Sequence, residues 1–167
     1  MSEDNRYDFS KIFNKVRPIH DRLTDDLIKN TPDEDVTQLI IDSIQFNSKN
    51  KSYGEIYAGL TSGQKIIYSI YILETKIFNG GFGGFYFNTE CELNQFLEPN
   101  LIAIGAKSVA DIVRRANEVC ESILADQAEP DKFYPLDKEF YEVIEVDRLE
   151  ARRVTYIREY REQFISA

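Results

Sequence analysis

The sequence predicts an all-α protein: one compact multi-helix domain over residues 1–167, with roughly seven helices and little or no sheet. Apolar residues recur with the period of an α-helix in several segments, and no segment convincingly indicates a strand. Glycine and proline separate these segments. A chain of 167 residues is also within the usual size of one domain and can bury a core without metals or disulfides.

The N-terminal part predicts helices on both sides of a proline-containing segment. Residues 8–29 form either one helix broken near Pro18 or two short helices, because proline cannot donate a hydrogen bond within a helix. Asp33 is placed to cap the next helix, and residues 47–51 form a polar loop after it. The apolar residues of that helix share one face: Val36, Leu39, Ile40 and Ile44.

The helix that follows is predicted to be central to the core. Thr61 and Gln64 match a capping box at its start, and Asn79-Gly80-Gly81 is typical of a helix end. We expect Gly80 or Gly81 to adopt a positive φ there. The apolar face of this helix is continuous over four turns: Ile66, Ile70, Leu73 and Ile77, widened by Ile67, Tyr71 and Phe78.

The glycine-rich segment 79–85 is interpreted as structural and not as a phosphate-binding loop. A GxGxxG loop would need glycine at positions 81, 83 and 86, but position 86 is tyrosine, and no strand precedes the segment. We expect Phe82, Phe85 and Phe87 to anchor the loop in the core, with residues 85–87 as one short extended piece.

The second half of the chain predicts four more helical segments. One begins near Asn88 or Thr89 and ends at Gly105, and Ser108 with Asp111 resembles the cap of the next. After a loop at 126–135, Asp137 is placed to cap a helix that carries aromatic residues. The apolar residues of the last two helices are Phe140, Tyr141 and Ile144, then Leu149, Tyr156, Ile157, Tyr160 and Phe164.

No catalytic residue, metal site or cofactor is predicted. The single histidine, His20, has no partner residues at ligand or catalytic spacing, and Cys91 and Cys120 belong to no CxxC or metal-binding pattern. Both thiols are expected to be buried or half-buried and to tolerate replacement. A polar N-terminus without signal-peptide features, and the lack of any long apolar run, predict a cytoplasmic protein.

The net charge of −9 is concentrated in one part of the sequence. Residues 121–150 contain 10 acidic and 3 basic residues, a net charge of −7. Such a surface repels nucleic acid and membranes and attracts basic proteins, although acidity can also serve solubility alone. The candidate partner-binding acids are Glu139, Glu142, Glu145, Asp147 and Glu150 on predicted helices, with Asp126, Glu129 and Asp131 in the loop before them.

The helical acids repeat in a way that suits imitation of a DNA backbone. Glu139, Glu142 and Glu145 recur every third residue, and neighbouring carboxylates at that spacing lie roughly 5–6 Å apart on a helix. Phosphates along a DNA strand repeat on a similar scale and also present oxygen acceptors to arginine and lysine. The alternative is an ordinary solvated helix face.

Three segments together resemble the motifs of a known family. Leu73–Phe82 with Phe85–Asn88 is similar to E-x-x-x-x-NGGF-x-Q-x-F/Y-x-N, Ile102–Ala106 to x-x-IGA, and Leu136–Tyr141 to LD-x-x-F-Y. These motifs resemble a bacterial family of small acidic proteins typified by a DNA-mimic protein. The structural motif residues are Asn79, Gly80, Gly81, Phe82, Asn88 and Gly105.

The resemblance covers residues 60–165, so residues 1–59 are expected to form N-terminal helices packed on that region. It implies an all-helical fold and a non-catalytic protein that occupies the DNA-binding surface of a transcription regulator or other DNA-binding protein. Gly84 departs from the pattern, which usually has glutamine there. If that glutamine serves a site, this chain lacks the site, and if it only braces the loop, little changes.

The leading hypothesis is therefore a non-catalytic acidic protein that binds the basic surface of a DNA-binding or regulatory protein. One alternative is an immunity protein that neutralises a toxin such as a nuclease, and another is an uncharacterised enzyme that uses paired carboxylates. We expect no direct contact with nucleic acid or membrane, and a homodimer is left open.

Overall fold

A computed structural model describes residues 17–165. This part of the chain contains eight α-helices, two 3-10 helices and no strand, which confirms the predicted all-α fold class. The α-helices are α1 Asp25–Asn30, α2 Asp33–Phe46, α3 Tyr53–Ala58, α4 Ser62–Thr89, α5 Asn94–Ala103, α6 Lys107–Leu124, α7 Tyr134–Asp147 and α8 Leu149–Glu159. The 3-10 helices are Pro130–Phe133 and Arg161–Phe164.

Helix α4 lies at the centre of the core, as its apolar face predicts. It packs against α2, α3, α5, α7 and both 3-10 helices. At its start the backbone N–H of Thr61 donates to Oε1 of Gln64 at 3.1 Å, one half of the predicted capping box. Its fully buried side chains include Ile67, Ile70, Leu73, Ile77, Phe82 and Phe85.

The predicted end of α4 at the glycine pair is instead a kink within a longer helix. Gly80 is extended with a φ of −168°, Gly81 has a φ of +64°, and helical geometry then continues to Thr89. The positive φ at Gly81 confirms the prediction for this loop. The prediction of an extended segment at residues 85–87 is wrong, because these residues are helical. Phe82 and Phe85 are buried as predicted, but Phe87 is exposed and does not anchor the core.

The next predicted helix boundary is also wrong. Residues 90–93 form a turn, and α5 begins at Asn94 and not near residue 88. Glu90 and Cys91 both have positive φ values, 51° and 60°, which end α4. Gly105, with a φ of +78°, ends the α5 region as predicted.

The N-terminal prediction is only partly testable, because residues 8–16 lie outside the described residues. Residues 17–24 are not helical. Helix α1 begins at Asp25, where Oγ1 of Thr24 accepts a hydrogen bond from the backbone N–H of Leu27 at 3.2 Å. The helical interpretation of residues 17–24 is therefore wrong.

Asp33 is the first residue of α2 and not its cap. Pro32 occupies the capping position, where it provides no side-chain hydrogen bond. The carboxylate of Asp33 instead pairs with Arg158 at 2.7 Å, which joins the start of α2 to α8. Ser108 with Asp111 is likewise not a cap, because the Asp111 carboxylate pairs with Arg114 and Arg115 further along α6.

Candidate partner-binding surface

Helix α7 connects two of the three sequence motifs. Asp137 Oδ1 accepts a hydrogen bond from the backbone N–H of Phe82 at 2.7 Å, and the Tyr141 hydroxyl donates to the Ile77 carbonyl at 3.0 Å. Between them, the Phe140 ring packs edge-on against Phe82 at 5.7 Å. Residues of the LD-x-x-F-Y segment thus satisfy backbone groups on both sides of the α4 kink.

The sequence predicted that Asp137 caps its own helix, and this arrangement shows why it does not. It lies in the first turn of α7 and caps the second half of α4 instead. Burial raises the pKa of the Asp137 carboxyl, while the hydrogen bond from the Phe82 N–H acts in the opposite direction. A Cβ on Gly81 would lie 2.5 Å from Asp137 Oδ2, so the cap and the glycine require each other.

Asp147 caps a second helix from the other end of α7. Its Oδ2 accepts hydrogen bonds from the backbone N–H groups of Ser108 and Val109, both at 3.0 Å. The side chain is buried, with the residue only 7% exposed, because it fills the N-terminus of α6 where backbone donors have no helical partner. The prediction that Asp147 is an exposed partner-binding acid is therefore wrong.

Glu139 is neutralised within the molecule. Its two carboxylate oxygens accept from Arg115 at 2.5 and 2.9 Å, and Arg115 also bonds Asp111 at 3.0 Å. The Arg115 hydrogen bond holds the pKa of Glu139 below its usual range. Glu139 is half-buried in this bidentate pair, so the prediction that it is a free exposed acid is wrong.

Glu150 is exposed but belongs to an internal ion network. Its carboxylate pairs with Arg153 and accepts a hydrogen bond from Thr37 Oγ1 at 3.2 Å. Arg153 is buried and also pairs with Glu74. Burial lowers the pKa of the Arg153 guanidinium to about 10, so it remains a cation at neutral pH.

The remaining acids of the predicted patch are exposed and have no ion pair with any described residue. Glu142 and Glu145 lie three residues apart on the outward part of α7. The other three precede α7, in the loop and the first 3-10 helix. They are Asp126, Glu129 and Asp131. Glu121, near the end of α6, was not part of the predicted patch but is exposed as well.

A groove borders this acidic surface. It has a volume of about 880 Å³ and lies between the start of α2, the first half of α4, the end of α7 and the start of α8. Apolar side chains and acids both line it. The acids are Asp33, Glu34, Glu74, Glu145 and Glu150. Sequence reasoning missed the groove because its residues lie far apart in the chain. It also placed Phe78 on the core face of α4, whereas Phe78 is exposed and lines the groove.

The other motif residues have structural roles in the described part of the chain. The Asn79 side-chain amide donates to the Thr75 carbonyl at 2.8 Å, and that of Asn88 donates to the Gly84 carbonyl at 2.6 Å. A Cβ at Gly84 would meet its nearest neighbours at 3.9 Å, an ordinary contact. The backbone here therefore leaves room for a Cβ at position 84.

The two cysteines are close in space although distant in sequence. Their Sγ atoms are 3.7 Å apart, with Cys91 half-buried and Cys120 buried, as predicted for their burial. Burial raises the pKa of the Cys120 thiol to about 12. Within residues 17–165, no group of three or more His, Cys, Asp or Glu side chains is arranged to hold a metal ion.

None of the helices in the described region has the length and apolar character needed to cross a membrane.

Comparison with known proteins gives one family. No curated protein and no solved structure matches the chain. The model of the DMP19-like protein family matches residues 58–160, which include the kinked α4, the turn at Gly105 and all of α7. Because the match spans more than half of the sequence, the chain belongs to the DMP19-like protein family.

Proposed function

We propose that this protein is a non-catalytic acidic interaction protein that acts as a DNA mimic and occupies the DNA-binding surface of a basic protein. One observation carries the proposal: exposed carboxylates that form no ion pair with any described residue persist along α7 and the segment before it, in a chain with a net charge of −9. Membership of the DMP19-like family, which is not a known enzyme family, supports it.

The acids proposed to contact the partner are the exposed ones of this patch that form no ion pair within residues 17–165. They are Asp126, Glu129, Asp131, Glu142 and Glu145. Glu139 and Glu150 already bond Arg115 and Arg153, and Asp147 bonds backbone N–H groups, so their charges are compensated internally. A basic surface that normally binds phosphates would find carboxylate acceptors here.

The test is capture and release. The immobilised protein is exposed to a lysate of its source organism, and bound proteins are then eluted with double-stranded DNA. We expect elution of a protein that binds DNA on its own, because DNA and the mimic compete for the same surface. Captured proteins that DNA does not release, or that have no affinity for DNA, would contradict the proposal.

Charge-reversal variants identify the surface. Replacement of Glu129, Asp131 and Glu142 by lysine is expected to reduce capture strongly. The matched control replaces Glu90, Glu159 and Glu162 by lysine, which changes the net charge equally at exposed acids outside the proposed surface. Glu139 is left intact because its reversal would break the Arg115 pair. Equal loss of capture in both variants would indicate non-specific charge attraction only.

A further inference from the structure

The groove between α2, α4, α7 and α8 differs from a simple acidic surface because it has an apolar floor. Phe78 is 54% exposed although it lies on the central helix, and Ile144 and Val154 line the groove beside it. DNA presents phosphates along its backbone, so carboxylates alone would suffice for electrostatic mimicry. An exposed apolar floor indicates that the occupant also has an apolar side.

The acids around the floor are only partly neutralised. Asp33 pairs with Arg158, and Arg153 lies between Glu74 and Glu150. Two other acids that line the groove, Glu34 on α2 and Glu145 on α7, are exposed and have no ion pair with any described residue. Helices on different sides of the groove therefore each present a free carboxylate, against one lining cation, Arg148.

We propose that this groove receives an amphipathic basic helix of the partner protein, with its apolar row on Phe78 and its lysine or arginine side chains on Glu34 and Glu145. This inference rests on the proposed function and adds the shape of the element that is bound. Charge complementarity selects this occupant: a second copy of the chain has the same net charge of −9 and would be repelled.

The dimensions fit this occupant. An α-helix with its side chains is about 10 Å across and rises 5.4 Å per turn, so one turn fills roughly 420 Å³. The groove of about 880 Å³ therefore has room for about two turns. Two turns present apolar anchors at positions i, i+3 or i+4 and i+7, the pattern by which amphipathic helices bind grooves.

The first experiment uses two synthetic peptides of identical composition. One has leucine at i, i+3 and i+7 on an otherwise lysine-rich helix, and the other has the same residues in scrambled order. Affinity is measured by fluorescence anisotropy. We expect the amphipathic peptide to bind at least about tenfold more tightly, because only it presents an apolar row to Phe78. Equal affinity of the two peptides would overturn the proposal.

Variants then locate the binding site. The double variant Glu34→Gln with Glu145→Gln removes two charges that form no ion pair with described residues, and Phe78→Ala removes the exposed aromatic ring of the floor. Each is expected to weaken binding by roughly fivefold or more. The matched control, Glu90→Gln with Glu162→Gln, removes the same charge elsewhere and should change affinity by less than about twofold. Equal weakening in control and groove variants would contradict the assignment.

A further measurement needs no variant and is independent of folding effects. A photoreactive benzophenone side chain at the centre of the amphipathic peptide should cross-link wild-type protein within α4, α7 or α8 next to the groove. Cross-links confined to the loop at residues 126–131 would overturn the proposal.

The outcomes separate this inference from the proposed function. If a DNA-binding partner is captured and released by DNA but its affinity is unchanged in Phe78→Ala, which alters no acid of the proposed surface, the groove inference fails and the proposed function stands. If the peptide binds the groove but no captured protein competes with DNA, the proposed function fails and the groove remains a binding site for a basic helix.

Discussion

Ten acidic residues fall between positions 121 and 150, yet their roles differ because their neighbours differ. Asp137 and Asp147 accept backbone hydrogen bonds, and Glu139 and Glu150 pair with arginines. Sequence spacing predicted a common exposed face, and Glu142 and Glu145 do lie on one. Asp137, Glu139 and Asp147 have their partners on α4 and α6, which spacing within one helix cannot reveal.

The adjacent glycines of the kink offer a matched test at the residue scale. Gly81 has a positive φ that residues with a Cβ rarely adopt, and a Cβ there would lie 2.5 Å from Asp137 Oδ2. A Cβ on Gly80 would meet nothing within 4 Å. We expect Gly81→Ala to reduce the free energy of unfolding by about 1–3 kcal/mol and Gly80→Ala to change it little. Urea unfolding measures both, and equal stabilities would contradict the role of Gly81.

At the scale of elements, helix existence was predictable and helix ends were not. Apolar periodicity correctly indicated α2, α4, α6, α7 and α8, because each must bury one face locally. The ends depend on which group satisfies the terminal N–H and C=O groups. For the second half of α4 and for α6 that group is a carboxylate from α7, so their starts could not be read from nearby residues.

The cap on the second half of α4 should be measurable through Asp137. Asp137→Ala removes the acceptor for the Phe82 N–H and is expected to cost about 1–2 kcal/mol of stability. Asp137→Asn keeps an acceptor oxygen without the charge and should recover much of that loss. Chemical unfolding of both variants at one pH decides, and equal destabilisation would argue that the oxygen is not the cap.

The same residue predicts a pH dependence with a defined sign. Burial raises the pKa of Asp137 in the folded protein above its ordinary value of 3.8. Its contribution to stability is therefore fully present below 3.8 and is lost as the pH rises through the folded-state pKa. The stability of Asp137→Asn relative to wild type should increase from below pH 3.8 to neutral pH. A constant difference across that window would contradict the raised pKa.

Asp147 should behave as the corresponding cap of α6. Replacement by alanine leaves the N–H groups of Ser108 and Val109 without their acceptor, and we expect a loss of about 1–2 kcal/mol. If Asp147 instead served a partner, Asp147→Ala would weaken partner binding and leave the unfolding free energy unchanged. The control Glu142→Ala, at an exposed acid of the same helix, should show that second behaviour.

On the scale of the whole molecule, composition predicted the sign of the surface charge but not its distribution. The net charge of −9 is a property of the sequence alone. Its free part depends on which acids the arginines neutralise, and Arg115, Arg153 and Arg158 all reach acids on other helices. The groove with its apolar floor likewise exists only once four separate helices come together.

A charged surface of this kind should control how fast a basic partner associates. Long-range attraction raises the association rate, and salt weakens it because the Debye length falls from ~10 Å at 0.1 M to ~3 Å at 1 M. We expect the association rate constant of the captured partner to fall steeply over this range, while its dissociation rate constant changes less. Stopped-flow fluorescence measures both.

In the Glu129, Asp131 and Glu142 lysine variant the salt dependence of association should largely disappear, because the charges nearest the partner are reversed. The Glu90, Glu159 and Glu162 lysine variant has the same net charge and should retain most of the wild-type dependence. Association rates that do not respond to salt would show that the acidity serves solubility and not recognition.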